Sequence, residues 1–274
     1  MRVRGVDLAI RESGTGVPLL WGHGLLGSMA QEDLADLLDW DAIATRSQLL
    51  RYDARGHGLS EATLASEDYR WPELGRDLLA LADAAGAERA VFGGLSMGCA
   101  TTLHAAAAAP DRVRALLLVA PPTAWRTRPR QARIYRAVAS AVEHFGLRPF
   151  QWFISLGMLA PAPAHRAKLQ RSMAESLRRA DPRAVIAALR GAADSDLPDP
   201  DVLRGVGAPA LVLAWRGDPT HPLSTAEQLA ELLPRADLRV ADSLDAVRAW
   251  SPAICGLLES VSSPPPVAAP APHA

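Results

Sequence analysis

A strand that turns directly into a buried helix through Gly-x-Ser-x-Gly leaves a chain few folds to choose from. Here that stretch is Gly94-Leu95-Ser96-Met97-Gly98. Before it, Arg89 to Gly93 is short, apolar and partly β-branched, as a buried strand is. After it, Cys99 to Ala109 is a run of small helix formers almost without charge. At such a joint the serine stands on a sharp turn with its hydroxyl clear of both elements. The flanking glycines remove side chains that would collide where strand and helix pack. The next amide, that of Met97, opens the helix, where unpaired N–H groups and the helix dipole favour negative charge. Ser96 is therefore the candidate nucleophile.

Around this joint the pattern alternates. Val6–Glu12 predicts an outer strand, and residues 17–21, 49–52 and 113–120 predict buried ones. Residues 29–45 have helical spacing at Leu34, Leu37, Leu38 and Ile43. Pro72 suits the first turn of a helix that runs to Ala85 with Leu74, Leu78, Leu81 and Ala82 on one face. Strands apolar on both faces, alternating with helices, argue for an α/β fold with a parallel sheet covered on both sides. The rhythm changes at Pro121-Pro122. From 122 to 200 only helical stretches separated by prolines appear, with six aromatic residues among them. Strands resume at 210–215 and 238–241, a last helix is expected over 244–261, and residues 262–274 form a Pro/Ala-rich tail expected to be disordered.

Composition narrows the function classes. The 274 residues carry a net charge of −1, which gives no general attraction to nucleic acid. Cys99 and Cys255 make no disulfide framework. No signal peptide and no apolar run of membrane-spanning length is visible, so a cytoplasmic protein with no membrane partner is expected. No Cys or His pair has zinc-ligand spacing, so no metal is expected. One lysine among 29 basic residues, with abundant alanine, suggests a high-GC bacterial genome.

Four motifs, in order and spacing, resemble the α/β-hydrolase fold family: Gly22-His23-Gly24-Leu25, residues 53–60 (Asp-Ala-Arg-Gly-His-Gly-Leu-Ser), residues 94–98, and residues 217–222 (Gly-Asp-Pro-Thr-His-Pro). The resemblance implies a mostly parallel eight-stranded sheet with helices on both faces and a helical cap inserted after the sixth strand. Residues 1–121 and 201–261 would form the core and 122–200 the cap. It also implies Ser96 as nucleophile, Asp218 as the acid, and the amides of Leu25 and Met97 as an oxyanion hole. Asp53 and Arg55 resemble the family's structural turn. No cofactor is implied.

One part of the family pattern is missing. The usual histidine follows the last strand, and residues 240–250 contain none. His221, three residues after Asp218 on a loop stiffened by Pro219 and Pro222, is the best candidate base. His23 and His57 suit structural roles in their turns, and His104 suits the interior of the elbow helix. His144 and His165 fall in the cap, and His273 falls in the tail. Asp242 and Asp245 suit the start of a helix, and an exposed carboxylate titrating near pH 4 makes a poor base.

The expected activity is hydrolysis of a small-molecule carboxylic ester or lactone through an acyl-enzyme. C–C bond hydrolysis and acyl transfer use the same groups. The missing histidine also keeps open a non-hydrolytic binder or a cyclase on the same fold. Candidate pocket residues are His23, Trp125, Trp152 and Phe153, the aromatic ones equally suited to ordinary cap core. Residues 122–200 hold 13 Arg and Lys against 6 Asp and Glu, while the rest holds 16 against 24. This is either a solvated face attracted to the body or a field that draws in an anionic substrate. The sequence leaves the oligomeric state unspecified.

Overall fold

The computed structural model describes residues 1–155 and 172–262. Strands β1 (Arg2–Val3) and β2 (Val6–Asp7) form a small antiparallel ribbon. The main sheet contains β3 (Ile10–Ser13), β4 (Val17–Gly22), β5 (Ser47–Tyr52), β6 (Ala90–Leu95), β7 (Val113–Val119), β8 (Ala210–Trp215) and β9 (Ala236–Ala241). Their order is β3-β5-β4-β6-β7-β8-β9. Only the edge strand β3 is antiparallel to its neighbour.

Among the described residues the main sheet thus has seven strands, with the chain's first strand pair set apart from it. The strand expected over Val6–Glu12 divides at Leu8 and Ala9: Val6–Asp7 pairs with β1 across the turn at Arg4 and Gly5, both at positive φ, while Ile10–Ser13 joins the main sheet beside β5. Residues 29–45 also divide. The helix Met29–Ala35 stops at Asp36, which turns left-handed (φ 54°), and Asp39 caps a second helix, Trp40–Ala44. The last helical stretch is likewise two helices, Leu244–Arg248 and Trp250–Ser262.

β7 shows why the inner strands read as unbroken apolar runs. Leu116 and Leu118 face the helices Trp71–Ala84 and Met97–Ala108, while Leu117 and Val119 face the helix Trp250–Ser262. With side chains alternating along the strand, both faces must be hydrophobic. Leu81 in the first helix and Leu103 in the second are fully buried in the same core. Between β7 and β8 lie the helices Arg128–Phe145, Leu147–Ser155, Pro182–Ala193 and Pro200–Arg204. The first three pack around a separate apolar cluster that includes Leu26, Ala139, Val142, Ile154, Val185 and Leu189.

Candidate active site

β6 ends beside β4 and β7, with Gly94 opposite Gly22 and Leu95 opposite Val119. The chain then turns into the helix Met97–Ala108 at Ser96, whose φ of 55° and ψ of −105° are unusual for a residue with a side chain. Its amide is held by the Val119 carbonyl at 3.0 Å. The glycines around it are required by contact. A Cβ on Gly98 would lie 2.0 Å from the Gly22 oxygen, and one on Gly94 would lie 2.5 Å from the Gly98 carbonyl carbon. Cys99 is part of this packing. Its thiol donates to the carbonyls of Gly94 and Val119, and burial pushes its pKa up.

The loop after β8 supplies the partners. Gly217, at φ 78°, turns the chain toward Asp218. One oxygen of Asp218 accepts the N–H groups of Thr220 (2.9 Å) and His221 (3.3 Å). The other lies 3.0 Å from His221 Nδ1, and His221 Nε2 lies 2.8 Å from Ser96 Oγ. A carboxylate only accepts hydrogen bonds, so the proton belongs on Nδ1. Nε2 is then the acceptor for the serine O–H. A turn that binds its own Asp oxygen thus brings Asp218 and His221, three residues apart, into line with a serine 125 residues upstream.

Opposite Ser96 runs the loop after β4. A Cβ on Gly24 would be 3.6 Å from the Ser96 Cβ, an ordinary van der Waals contact, so the loop runs directly alongside the serine. Leu25 follows, and neither its N–H nor that of Met97 has a backbone acceptor among the described residues. His23 does not line a pocket. It is 1% exposed, Nδ1 donates to the Gly24 carbonyl, and Nε2 accepts the Ala54 N–H. Burial pushes its pKa down to about 4. His57 packs against it, donates through Nδ1 to the Arg55 carbonyl, and is driven to about 3 mainly by burial. Asp53 holds the Met29 and Leu59 amides, and Arg55 grips Asp77 with two nitrogens, so this turn is a brace for the loop after β4.

The other sequence candidates lie apart from this line of groups. Trp152 is turned outward, 65% exposed. Trp125 is half-buried against the main core and donates through its indole to the Pro198 carbonyl. The side chain of Phe153, and the whole of His165 and His273, lie outside the described residues. His104 bonds the Asp196 carbonyl, and His144 bonds the Ser140 carbonyl of its own helix. Asp242 and Asp245 are exposed, and Ser243 caps the helix beside them.

The arginines at the start of the insertion divide into two groups. Arg126, Arg130 and Arg133 are exposed and have no ion pair among the described residues. Arg136 and Arg190 pair with Asp194 and Glu143, inside the same segment. Arg128 is buried on backbone carbonyls, a placement that nothing in its sequence context marks. Among the described residues, no group of three or more His, Cys, Asp or Glu could hold a metal ion, and no helix is long and apolar enough to cross a membrane.

A serine on a strand–helix elbow, bonded to a histidine that an aspartate holds, at the C-terminal edge of a parallel sheet, defines a class of α/β proteins with a hydrolase-type site. The chain belongs to the alpha/beta hydrolase fold family, whose family model matches residues 17–247. It is 28% identical over 198 residues to 3-oxoadipate enol-lactonase 2 of Acinetobacter baylyi, covering 70% of this chain and 69% of that one. Among solved structures, a thermophilic esterase from Thermogutta terrifontis superposes with a TM-score of 0.78 at 24% identity, covering 94% of this chain and 95% of that one. The enol-lactonase from Burkholderia xenovorans superposes with a TM-score of 0.69 at 23% identity, covering 94% and 98%. These two structural likenesses concern the fold.

Proposed function

We propose that this protein is a serine hydrolase that cleaves a carboxylic ester or lactone through an acyl-enzyme. The observation behind this reading is the hydrogen-bonded chain from Ser96 through His221 to Asp218. Ser96 Oγ attacks the carbonyl carbon while His221 Nε2 takes its proton. Asp218 keeps the imidazole in the required tautomer and stabilises the imidazolium that forms. The amides of Leu25 and Met97 meet the negative charge that develops on the carbonyl oxygen, each donor contributing a few kcal/mol of selective stabilisation. His221 then returns the proton to the leaving alcohol, and water repeats the cycle on the acyl-enzyme. In a lactone, the alcohol stays tethered to the acyl group, and water cleaves the acyl–Ser96 bond to release a single hydroxy acid.

The choice of ester or lactone rests on the relatives' chemistry. C–C hydrolysis and acyl transfer would use the same residues. A non-hydrolytic binder has no use for a serine hydroxyl bonded to a held imidazole. The segment 122–200 is proposed as the cap that closes over the substrate, with Arg126, Arg130 and Arg133 biasing it toward anionic substrates.

Intact-mass labelling with a fluorophosphonate tests the mechanism. The natural protein is expected to take one adduct, and Ser96→Ala none. His221→Ala is expected to label at least about a hundredfold more slowly, as loss of a general base requires. Labelling of His221→Ala at the natural rate would remove His221 from the base role. A folded natural protein that takes no adduct would overturn the hydrolase reading.

A further inference from the structure

Acid and base on one loop share one weakness: if the loop moves, both lose their aim at Ser96. The bonds among Asp218, Thr220 and His221 fix the loop's own shape. Its position relative to Ser96 depends on anchors from outside. One reaches the residue between acid and base: the Thr123 N–H donates to the Thr220 carbonyl at 3.3 Å. Thr123 lies just past the end of β7, where the chain leaves the sheet for the helical insertion, and is 4% exposed.

Thr123 is itself held. Its hydroxyl accepts Arg128 Nη1 at 3.2 Å. The same guanidinium donates through Nε to the Ser195 carbonyl at 2.7 Å, and through Nη2 to the Ala192 carbonyl. Its flat face lies 4.0 Å from the Trp71 ring and 5.3 Å from that of Tyr135. Arg128 is 3% exposed and forms no ion pair among the described residues. Burying a cation that makes no ion pair is costly, even with the Asp196 carboxylate near enough to act on it. What the site gains is the planar fork, which reaches several acceptors at once as a lysine cannot. Those acceptors stand at the two roots of the insertion, Thr123 where the chain enters it and Ala192 and Ser195 where it returns.

We propose that Thr123 and Arg128 are positioning residues for the reaction: they pin the loop bearing Asp218 and His221 to both roots of the insertion, so that His221 is aimed at Ser96 only while those roots are locked together. This rests on the serine-hydrolase reading. Neither residue touches the reacting atoms. Both act through the Thr220 carbonyl.

The test compares Thr123→Val, Thr123→Ser, Arg128→Met and the Thr123→Val/Arg128→Met pair. Each is checked for folding by thermal unfolding, then assayed well below its transition. The readouts are the labelling rate of Ser96 by a small alkyl fluorophosphonate and the separate kcat and KM for a small aryl ester. Thr123→Val keeps the shape and deletes only the hydroxyl. It is expected to slow labelling and kcat about tenfold, as a misplaced catalytic group does, with KM nearly unchanged. Thr123→Ser restores the hydroxyl and is expected to recover most of the rate. Arg128→Met is expected to show the same defect, and the pair no more than either alone, because both break one link.

Should Arg128→Met not fold, the valine–serine contrast carries the test. Natural rates in Thr123→Val overturn the proposal, as do equal losses in the valine and serine variants, which would mean packing alone. A folded natural protein unlabelled at Ser96 removes the hydrolase reading and this proposal together, whereas a labelled natural protein with an unaffected Thr123→Val removes only the proposal.

Discussion

Ser96 holds a backbone shape that its side chain disfavours, with φ at 55° and ψ at −105°. Residues held in such regions cost of order 1–3 kcal/mol. Glycine adopts positive φ freely, at a smaller cost from its looser unfolded chain. Alanine removes the hydroxyl but keeps the Cβ and hence the strain. Ser96→Gly is therefore expected to be more stable than Ser96→Ala by about 1 kcal/mol, both being inactive. Urea unfolding of the two variants checks this, and an alanine variant equal to or more stable than the glycine one would mean that the turn stores no strain. At this scale the sequence was informative where chemistry is local. Gly-x-Ser-x-Gly marks the elbow, and the three-residue spacing from Asp218 singles out His221 where the region after β9 offers no histidine. It was silent where contact is long-range. Nothing in Gly-His-Gly says that both nitrogens of His23 are used by backbone groups, one of them 31 residues away.

Among the elements, the helix Trp71–Ala84 and strand β7 were legible because one clean periodicity governs each. Residues 29–45 were not, because a left-handed Asp36 restarts the helical phase partway along. Leu34 and Leu38 share a stripe if the helix is continuous. In the structure Leu34 is 54% exposed, whereas Leu38 is buried in the core cluster under the sheet. Leu38→Ala is expected to cost about 2–3 kcal/mol, the lower part of the range for buried leucines, and Leu34→Ala to stay within about 0.5 kcal/mol of the natural protein. Chemical denaturation with unchanged slope is the measurement. Equal losses at the two positions would restore the continuous helix. The insertion after β7 was legible as a change of rhythm. Its anchoring by Arg128 was not, since one arginine among 13 basic residues of that segment carries no mark of burial.

For the whole molecule, acid sensitivity follows from which buried groups gain or lose protons on unfolding. Burial holds His23 near 4 and His57 near 3, below the ordinary histidine value of 6.5. As pH falls below 6.5, the unfolded chain takes up protons that the folded protein refuses, so stability falls with pH until the folded values are reached. His104, lowered by burial, acts in the same direction. Glu32 opposes them. Burial raises it to about 7 despite the contacts with Arg51 and Trp21, so between 7 and the ordinary 4.5 the folded protein binds the extra proton and gains stability as pH falls. The histidines outnumber it, and the natural protein is expected to lose stability steadily from pH 6.5 to 4.5. Glu32→Gln removes the opposing proton while keeping an acceptor for Trp21. Its unfolding free energy is then expected to fall more steeply across that window, by roughly 1.4 kcal/mol per pH unit, whatever its absolute stability at pH 7. Urea titrations of both proteins at pH 7, 6, 5.5 and 4.5 measure the two slopes. Parallel slopes would mean that Glu32 stays ionised beside Arg51 and that the ion pair outweighs burial there.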